Sequence, residues 1–217
     1  PMEESSRIPI LGYTKREDVR DVLVLPEGGK PWEGRGVIGC SSFRRRIQGE
    51  RLFPQAEFRS IRGNVLTRLE KLDRGEYDAL ILAAAGLKRL GLEHRICRYF
   101  SAEEILPAAG QGILAVQGRA GEDYGFLETL AKEGAGAEAL AERAFVRYLD
   151  GGCSSPVAAY ARVDNDRLYL RGLYYIEEKG SYTLGSREGR SEDAEEIGVL
   201  LAEEMERKYG RKGGAGA

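Results

Sequence analysis

Residues 60–92 read SIRGNVLTRLEKLDRGEYDALILAAAGLKRLGL, and this stretch decides the fold. Val65, Leu69 and Leu72 are spaced at i, i+4 and i+7, which predicts one apolar face of a helix. Residues 79–85 form a continuous apolar run, which is typical of a strand covered on both faces. A second helix follows the run. The stretch therefore predicts a helix–strand–helix segment of an α/β domain.

The ends of these elements carry the capping and charged residues. Asn64 stands where the N-cap of the first helix belongs, and Gly75 stands where its C-terminal cap belongs. Arg62, Arg68 and Arg89 lie at the edges of the elements rather than along one solvated face. This placement predicts an anion-binding site at the strand ends.

Upstream of this stretch, short strand candidates alternate with a loop and a helix. Ser41 and Ser42 open a helix that contains the basic run 44–46. The strand candidates are residues 21–25, 36–40 and 56–61. Strands that alternate with helices at this spacing predict an α/β domain with a mainly parallel sheet.

The C-terminal part of the chain has a different pattern. A helix is predicted over residues 137–149, and we expect Leu140, Ala144, Tyr148 and Leu149 to face the core. Alternating strands follow this helix, and Ser191 is placed to cap a final helix. The strand candidates are residues 157–163, 168–176 and 181–187. The pattern predicts a smaller α+β domain with an antiparallel sheet.

The composition of the 217 residues argues against several classes of protein. The net charge of −2 supplies no overall field for nucleic acid, and no apolar run reaches the ~18 residues that a membrane span needs. Cys40, Cys97 and Cys153 are odd in number and far apart, and His94 is the only histidine. We therefore expect no metal site and no disulfide framework, but reduced thiols in a cytoplasmic protein.

Basic residues are concentrated between residues 44 and 71, where eight of them face three acidic residues. Seven of the eight are arginines, whose planar guanidinium groups pair with carboxylate or phosphate through two bonds. Several lie beside predicted helix starts, where free backbone N–H groups favour anions. A solvated helix face is the alternative interpretation. Because aromatic residues are sparse here, a multi-carboxylate or phosphorylated small molecule fits better than nucleic acid.

The loop 150–156, DGGCSSP, presents Cys153 after two glycines at the end of a predicted helix. Glycines there release the backbone from its usual steric limits and leave the next side chain with little shielding. The Cys153 thiol is therefore a candidate nucleophile or attachment point, and a packing role is the alternative. Cys40 and Cys97 lie inside apolar patterns, which predict burial.

Four segments, in this order, resemble the motifs of the hydroxymethylbilane synthase family, also called the porphobilinogen deaminases. They are GCSSFRRR at 39–46, the stretch at 62–92, LPAAGQGILAVQGR at 106–119 and ERAFVRYLDGGCSSPVAAYA at 142–161. The resemblance covers nearly the whole chain. It implies three domains, of which the first two resemble periplasmic binding proteins with the active site in the cleft between them.

The resemblance also implies a division of the chain. The GQG turn at 110–112 and the apolar strand after it, residues 113–116, are interpreted as a linker that leaves one domain for another, and a helical pattern follows near residues 124–132. The expected parts are a remnant of the first domain at 1–12, the second domain at 13–112, a return strand and helix of the first domain at 113–132, and the cofactor-carrying domain at 133–217.

Members of the family carry a dipyrromethane cofactor, bound through a thioether to a loop cysteine, and the matching residue here is Cys153. Arginines at matching positions hold the acetate and propionate groups of the cofactor and the substrate. The positions expected to bind cofactor are Arg44, Arg45, Arg62, Arg68, Ser42 and Gly63. The positions expected to bind the substrate porphobilinogen are Arg68, Arg89 and Gln111.

The activity implied by the resemblance is the deaminating condensation of four porphobilinogen units to hydroxymethylbilane. The family's acid/base aspartate lies in a motif resembling H-S-x-K-D-x-P, which does not occur in the 217 residues. Pro1 resembles the proline that ends this motif. We therefore expect an N-terminal segment, on the same or a separate polypeptide, to complete an enzyme that is inactive without it and monomeric with it. A non-catalytic fragment that binds anions or tetrapyrroles is the alternative.

Smaller departures from the family pattern also occur. Cys40 stands where threonine is common, and Arg46 is an additional arginine. Gln117 stands where glutamate is usual, which removes one expected charge.

Overall fold

The computed structural model describes residues 5–29, 31–127, 135–149 and 156–210. These residues form two compact units. The first, called here the insert unit, comprises residues 18–107. The second, called the host unit, is built from the described residues before 18 and after 107. The four-part division inferred from the sequence remains a prediction.

Strands and helices are numbered along the described part of the chain. The strands are β1 (Ile10–Tyr13), β2 (Asp21–Val24), β3 (Gly36–Gly39), β4 (Ala56–Arg59), β5 (Ala79–Ala83), β6 (Ile96–Tyr99), β7 (Ala115–Gln117), β8 (Ala158–Asp164), β9 (Arg167–Ile176) and β10 (Ser181–Arg190). The helices are α1 (Phe43–Leu52), α2 (Val65–Asp73), α3 (Ala84–Arg89), α4 (Gly136–Tyr148) and α5 (Ala194–Tyr209). Single 3-10 turns occur at 93–95, 125–127, 177–179 and 191–193.

The insert unit contains a five-stranded sheet in the order β4-β3-β5-β2-β6. β3 is parallel to both β4 and β5, whereas β2 is antiparallel to both β5 and β6. The expectation of a mainly parallel sheet was therefore wrong, and the sheet is mixed. The reason is that no described helix lies between β2 and β3, so β2 is not joined to β3 by the helical crossover that makes neighbouring strands parallel.

Helix α2 and strand β5 form as the stretch 60–92 predicts. The Asn64 side chain accepts a hydrogen bond of 2.9 Å from the Thr67 backbone N–H, which confirms the predicted N-cap. Gly75 has φ +79°, the left-handed conformation that ends many helices. Leu69 and Leu72 are buried, as the helical spacing predicts. The following apolar run is a strand as far as residue 83, where α3 begins.

Apolar side chains cover both faces of this sheet. Val22 and Leu80 pack with Leu72 of α2 on one face. Leu23 and Ile81 pack with other apolar residues on the opposite face. All five side chains are buried, and a Leu, Ile or Val removed fully from water contributes about 1.5–3 kcal/mol to stability. This burial holds the strand ends in fixed positions.

In the host unit, an antiparallel sheet in the order β10-β9-β8 packs against α4 and α5. Ala144 is buried and Leu149 packs against the core, as predicted, but Leu140 is 44% exposed and Tyr148 is 39% exposed, so the predicted core face of α4 was partly wrong. The buried face is instead centred on Phe145 and includes Glu142. The spacing of apolar residues did not predict this face, because an acidic residue lies on it.

Two extended segments of the host unit lie side by side. β1 pairs antiparallel with β7, and the pairing continues through hydrogen bonds from Thr14 N to the Leu114 carbonyl and from Glu17 N to the Gly112 carbonyl, of 2.9 and 2.8 Å. β7 begins two residues later than the strand expected at 113–116. Of the helix expected near 124–132, the structure describes a 3-10 turn at 125–127, and residues 128–134 lie outside the described residues.

None of the helices in the described ranges is long and apolar enough to cross a membrane. Two of the three cysteines also lie in these ranges. Cys40 is buried as predicted, but Cys97 is exposed, which corrects the expectation for that residue. It lies on the terminal strand β6, where one side of the strand has no neighbour in the sheet.

Candidate anion-binding site

The candidate site lies at the edge of the insert-unit sheet where the three parallel strands β3, β4 and β5 end. Helices α1, α2 and α3 begin just beyond these strand ends. The loops after β3 and β4 are joined, because Cys40 N donates to the Arg59 carbonyl at 2.8 Å and the Ser41 hydroxyl donates to the Ile61 carbonyl. Ligands of open α/β sheets bind at such an edge.

Two helix N-termini open at this edge. Ser42 is the N-cap of α1, and its hydroxyl accepts a bond of 3.4 Å from Arg45 N. Asn64 caps α2 in the same way. Neither helix has an acidic residue in its first turn. The backbone N–H groups and the helix dipoles therefore leave positive potential at this edge, which favours a bound anion.

Arg44 and Arg45 of α1 both contact Asp21, the first residue of β2. Arg44 Nη1 lies 2.7 Å from Asp21 Oδ2, and Arg45 Nε lies 2.8 Å from Asp21 Oδ1. The Asp21 side chain is 0% exposed, Arg44 is buried, and 13% of the Arg45 side chain is exposed. Burial lowers the pKa of the Arg44 guanidinium, although the Asp21 charge opposes this effect. The expected cofactor-binding role of both arginines remains a prediction.

Gln48 holds the Leu106 carbonyl, which is a second hydrogen-bond acceptor of Arg44. The Gln48 side chain accepts a bond of 2.7 Å from Leu106 N and donates one of 3.2 Å to the Leu106 carbonyl. The same carbonyl accepts a bond of 2.7 Å from Arg44 Nη1. Since Gln48 and Arg44 are one turn apart on α1, the helix is tied to residue 106 at two points. The Arg44 guanidinium is thus held from two sides.

Gly63 and Arg68 are brought together at the start of α2. The Gly63 carbonyl accepts a bond of 2.8 Å from Arg68 Nε. Gly63 has φ +123°, and a Cβ built there would lie 2.9 Å from the Thr67 side chain. Only glycine adopts this backbone conformation without strain. The loop that carries Arg62 therefore depends on Gly63 for its path.

Arg62 and Arg89 differ from the buried arginines. Both are exposed, and neither side chain makes a hydrogen bond or ion pair with any residue in the described ranges. Arg62 lies beside Gly63, and its carbonyl accepts a bond of 3.3 Å from Lys71 Nζ. Arg89 is the last residue of α3, about 9 Å along the helix from its start. The structure thus places Arg62 on the loop between β4 and α2, at the edge with Arg44, Arg45 and Arg68, and places Arg89 at the C-terminal end of α3.

Of the remaining expected site residues, one belongs to the host unit and one lies outside the described residues. Gln111 lies in the host unit, on a turn closed by a bond of 3.0 Å from its N–H to the Ala108 carbonyl. Gly112 follows it with φ +81°. Cys153, the expected attachment point of the cofactor, lies outside the described residues.

The sequence analysis missed Glu142 of α4, a buried acid in the host unit. Its side chain is 0% exposed and accepts three bonds of 2.7 Å, from Arg16 Nη2, Gly110 N and Ala161 N. Burial raises the pKa of this carboxyl from 4.5 to about 7, although Arg16 and the two backbone N–H groups lower it in part. Glu142 therefore fixes the start of the turn that carries Gln111.

The sequence analysis also gave no role to Asp21. The available signals were an aspartate at the start of the apolar run 21–25 and a glutamate within the Ala-rich helix. In both cases a charged residue interrupts an otherwise apolar face, which indicates a buried ion pair.

The chemistry of the edge suits a ligand with several carboxylates. It combines exposed and half-buried guanidinium groups with two capped helix N-termini, which are donors that pair with carboxylate oxygens. Within the described ranges no group of three or more His, Cys, Asp or Glu residues could hold a metal ion. A dipyrromethane, whose two pyrroles carry acetate and propionate groups, fits this set of donors.

Comparison with known proteins gives two family matches. Residues 1–125 match the family described as "porphobilinogen deaminase, dipyromethane cofactor binding domain", and residues 137–207 match "porphobilinogen deaminase, C-terminal domain". A porphobilinogen deaminase of Ruminiclostridium cellulolyticum is 50% identical over 206 residues, which cover 95% of this chain and 70% of the relative. That of Alkaliphilus oremlandii is 51% identical over 205 residues, covering 94% and 69%. That of Acetivibrio thermocellus is 49% identical over 205 residues, covering 94% and 70%.

Proposed function

Because the chain belongs to the porphobilinogen deaminase family, we propose that it serves tetrapyrrole biosynthesis as a transferase. The proposed reaction is the stepwise deaminating condensation of four porphobilinogen units on a covalently bound dipyrromethane primer to give hydroxymethylbilane. The observation that carries the proposal is the convergence of arginines and helix N-termini at one edge of the insert-unit sheet.

The charge of the ligand explains why the edge carries arginines. Each porphobilinogen brings two carboxylates, so a growing chain accumulates negative charge. A carboxylate removed from water without a partner costs several kcal/mol. Arg62 is exposed at the edge, and Arg68 is held beside it by the Gly63 carbonyl. These two guanidinium groups provide partners that neutral donors would not replace.

We assign the chain's own residues to two binding roles. Arg45, Arg62 and Arg68 hold cofactor carboxylates, with Arg44 behind them, and Ser42 and Gly63 shape the loops that present the arginines. Arg68, Arg89 and Gln111 bind the incoming substrate. Cys153 is the proposed thioether position. When bound, dipyrromethane supplies the pyrrole end on which the product chain is extended.

No residue of the chain is assigned the acid/base role. The H-S-x-K-D-x-P motif does not occur in the 217 residues. Asp18 is unsuited to proton transfer, because its bonds to Arg20 lower the pKa of its carboxyl to about 2. Asp21 is held between two arginines. We propose that turnover requires a segment that carries the motif, and that the chain corresponds to the second and third domains of a fold with binding-protein-like domains.

A second candidate is a non-catalytic protein that binds anions or tetrapyrroles, because arginines and helix N-termini at the edge would bind an anion without any acid/base group. The two candidates differ in whether a segment bearing the motif restores turnover. Supplying the corresponding segment of a relative, and measuring formation of hydroxymethylbilane from porphobilinogen, separates them. Turnover supports the transferase, and ligand binding without turnover supports the alternative.

Intact-protein mass spectrometry tests the proposed function directly. The protein produced in cells that make porphobilinogen, together with a segment that carries the H-S-x-K-D-x-P motif, should carry an adduct of two pyrroles, which disappears in Cys153→Ser. Cys97→Ser is the matched control, because Cys97 is an exposed thiol that has no proposed role. An adduct that persists in Cys153→Ser, or a wild-type protein without any adduct, would contradict the proposal.

A further inference from the structure

Asp21 lies at the anion-binding edge and contacts two of the expected cofactor-binding arginines. We infer that Asp21 is a positioning residue of this site. It sets the orientation of Arg44 and Arg45 and competes with small anions for them. The inference rests on the proposed function, because it concerns the loading of the same cofactor.

The geometry of the three side chains supports the proposal that Asp21 orients Arg44 and Arg45. The two carboxylate oxygens of Asp21 each bind a different guanidinium group, Oδ2 that of Arg44 at 2.7 Å and Oδ1 that of Arg45 at 2.8 Å. Because one rigid carboxylate bridges both arginines, their guanidinium groups are fixed relative to each other. A neutral side chain of the same shape would offer one acceptor instead of two.

Asp21 is itself held firmly by the sheet. It opposes Ala83 in the pairing of β2 with β5, and its carbonyl accepts a bond of 2.9 Å from Phe100 N. Arg44 is held on its other side by the Leu106 carbonyl. Because the sheet fixes Asp21, the Asp21 carboxylate in turn fixes Arg45, the more exposed of the two arginines. The contacts of Asp21 with both arginines are buried and short.

The charges of Asp21, Arg44 and Arg45 support the proposal that Asp21 competes with small anions for the two arginines. Two guanidinium groups and one carboxylate carry a net charge of +1, so part of the positive charge is already neutralised within the protein. If the carboxylate were removed, two cations with little exposure would repel each other and attract any small anion. The affinity for a simple anion would rise, but the defined geometry that a cofactor with several carboxylates needs would be lost. A purely structural role would not give these two opposite effects.

Asp18 provides a matched control in the same unit. It forms ion pairs with Arg20 at 2.7 Å and Lys88 at 3.3 Å, and its side chain is 8% exposed. Like Asp21, it is an aspartate bound by two cationic residues. Neither Arg20 nor Lys88 is an expected cofactor-binding residue. Asp18→Asn therefore removes a similar ion-pair set without altering the proposed site.

The experiment compares the full 217-residue chain, produced together with a segment that carries the H-S-x-K-D-x-P motif, with its variants Asp21→Asn, Asp21→Glu and Asp18→Asn. Calorimetry measures the affinity for inorganic phosphate, and intact mass spectrometry measures the fraction of folded protein that carries the two-pyrrole adduct. In Asp21→Asn we expect phosphate to bind about tenfold more tightly and the adduct fraction to fall about tenfold. Asp18→Asn should leave both values unchanged.

Asp21→Glu keeps the charge but moves the carboxylate by one methylene group, so it decides the case if Asp21→Asn does not fold. Asp21→Glu should bind phosphate with the affinity of the wild type, and its adduct fraction should be about tenfold lower. Adduct formation at the wild-type level in a folded Asp21 variant would overturn the inference. So would a loss of adduct in Asp21→Asn with no gain in phosphate affinity.

The phosphate measurement separates this inference from the proposed function. If the wild-type protein forms no adduct, the proposed function fails, but a tenfold gain in phosphate affinity in Asp21→Asn still supports the role of Asp21. An unchanged phosphate affinity in that variant overturns that role, whether or not the wild type is loaded.

Discussion

Arg16 and Glu142 are 126 positions apart in the sequence and form a buried ion pair, with 2.7 Å between Nη2 of Arg16 and Oε1 of Glu142. The same carboxylate accepts bonds from the backbone N–H groups of Gly110 and Ala161. One side chain of α4 thus holds the segment before the insert unit, the segment after it and a strand of the C-terminal sheet.

Glu142 should make the stability of the protein fall as the pH rises from about 4.5 to about 7. The folded protein keeps the Glu142 proton to about pH 7, because burial raises the pKa of this carboxyl, whereas the unfolded chain loses it near pH 4.5. Unfolding in this window releases a proton, so the free energy of unfolding should decrease by about 3 kcal/mol across it. Urea denaturation at pH 5, 6, 7 and 8 measures the change.

Glu142→Gln is the control for this prediction. Glutamine cannot titrate, so the contribution of this position to the pH dependence should disappear. The variant should also be less stable at every pH by about 1–3 kcal/mol, because glutamine keeps one acceptor oxygen for Arg16 and Ala161 N, whereas Gly110 N loses its acceptor. If wild type and variant showed parallel pH profiles, Glu142 would be ionised in the folded protein throughout the range.

Replacement of Arg62 by leucine should impair loading without unfolding the protein. Arg62 is exposed and its side chain has no partner within the described ranges, so its removal should change stability by less than about 0.5 kcal/mol. In protein completed by a segment that carries the H-S-x-K-D-x-P motif, loss of one charge-assisted pair should lower the two-pyrrole adduct fraction or the elongation rate by about 10-fold or more. Arg74→Leu, at the other end of α2, is the control and should load normally.

Gly63 and Gly75 form a matched pair for backbone strain. Both have positive φ, but a Cβ at Gly63 would meet Thr67 at 2.9 Å, whereas a Cβ at Gly75 would meet nothing within 4 Å. Gly63→Ala should destabilise the protein by about 2–4 kcal/mol and disturb Arg68, and Gly75→Ala by about 1 kcal/mol. Thermal denaturation gives the ranking, and equal losses would show that crowding at Thr67 has no effect.

Gly198 allows α4 and α5 to approach closely. A Cβ there would lie 2.3 Å from the Ala141 carbonyl oxygen and 2.8 Å from the Ala144 Cβ. Gly198→Ala should therefore force the helices apart and cost about 1–3 kcal/mol or more. Gly136→Ala, where a Cβ would meet nothing within 4 Å, should be neutral or slightly stabilising. A calorimetric melting temperature for each variant tests the contrast.

The predictions that succeeded depend on local sequence. The Asn64 cap, the buried Leu69 and Leu72, and the helix opened after Ser42 are set by residues within one or two turns of each other. The arginine-rich edge could also be predicted, because the N-termini of helices that follow parallel strands lie together at one edge of a sheet. The roles of its residues remain predictions.

The failures involve relationships between residues that are distant in the sequence. The direction of β2 depends on how the chain returns after the loop that follows it, and nothing in residues 21–25 encodes that path. The burial of Asp21 depends on Arg44 and Arg45 more than twenty positions away. Periodicity treats an acidic residue as exposed, so it placed Leu140 in the core instead of Glu142.

The pairing of β1 with β7 spans about a hundred residues, and the insert unit is encoded between the two strands. During synthesis, the five-stranded sheet has all its strands once residue 99 has emerged, whereas β1 must wait for residues 115–117 before it has a partner. The host unit therefore completes its fold on the ribosome after the insert unit has formed. In a nascent chain that is stalled with residue 99 but not residue 115 outside the ribosome, the insert unit should resist protease, whereas β1 should still be cleaved.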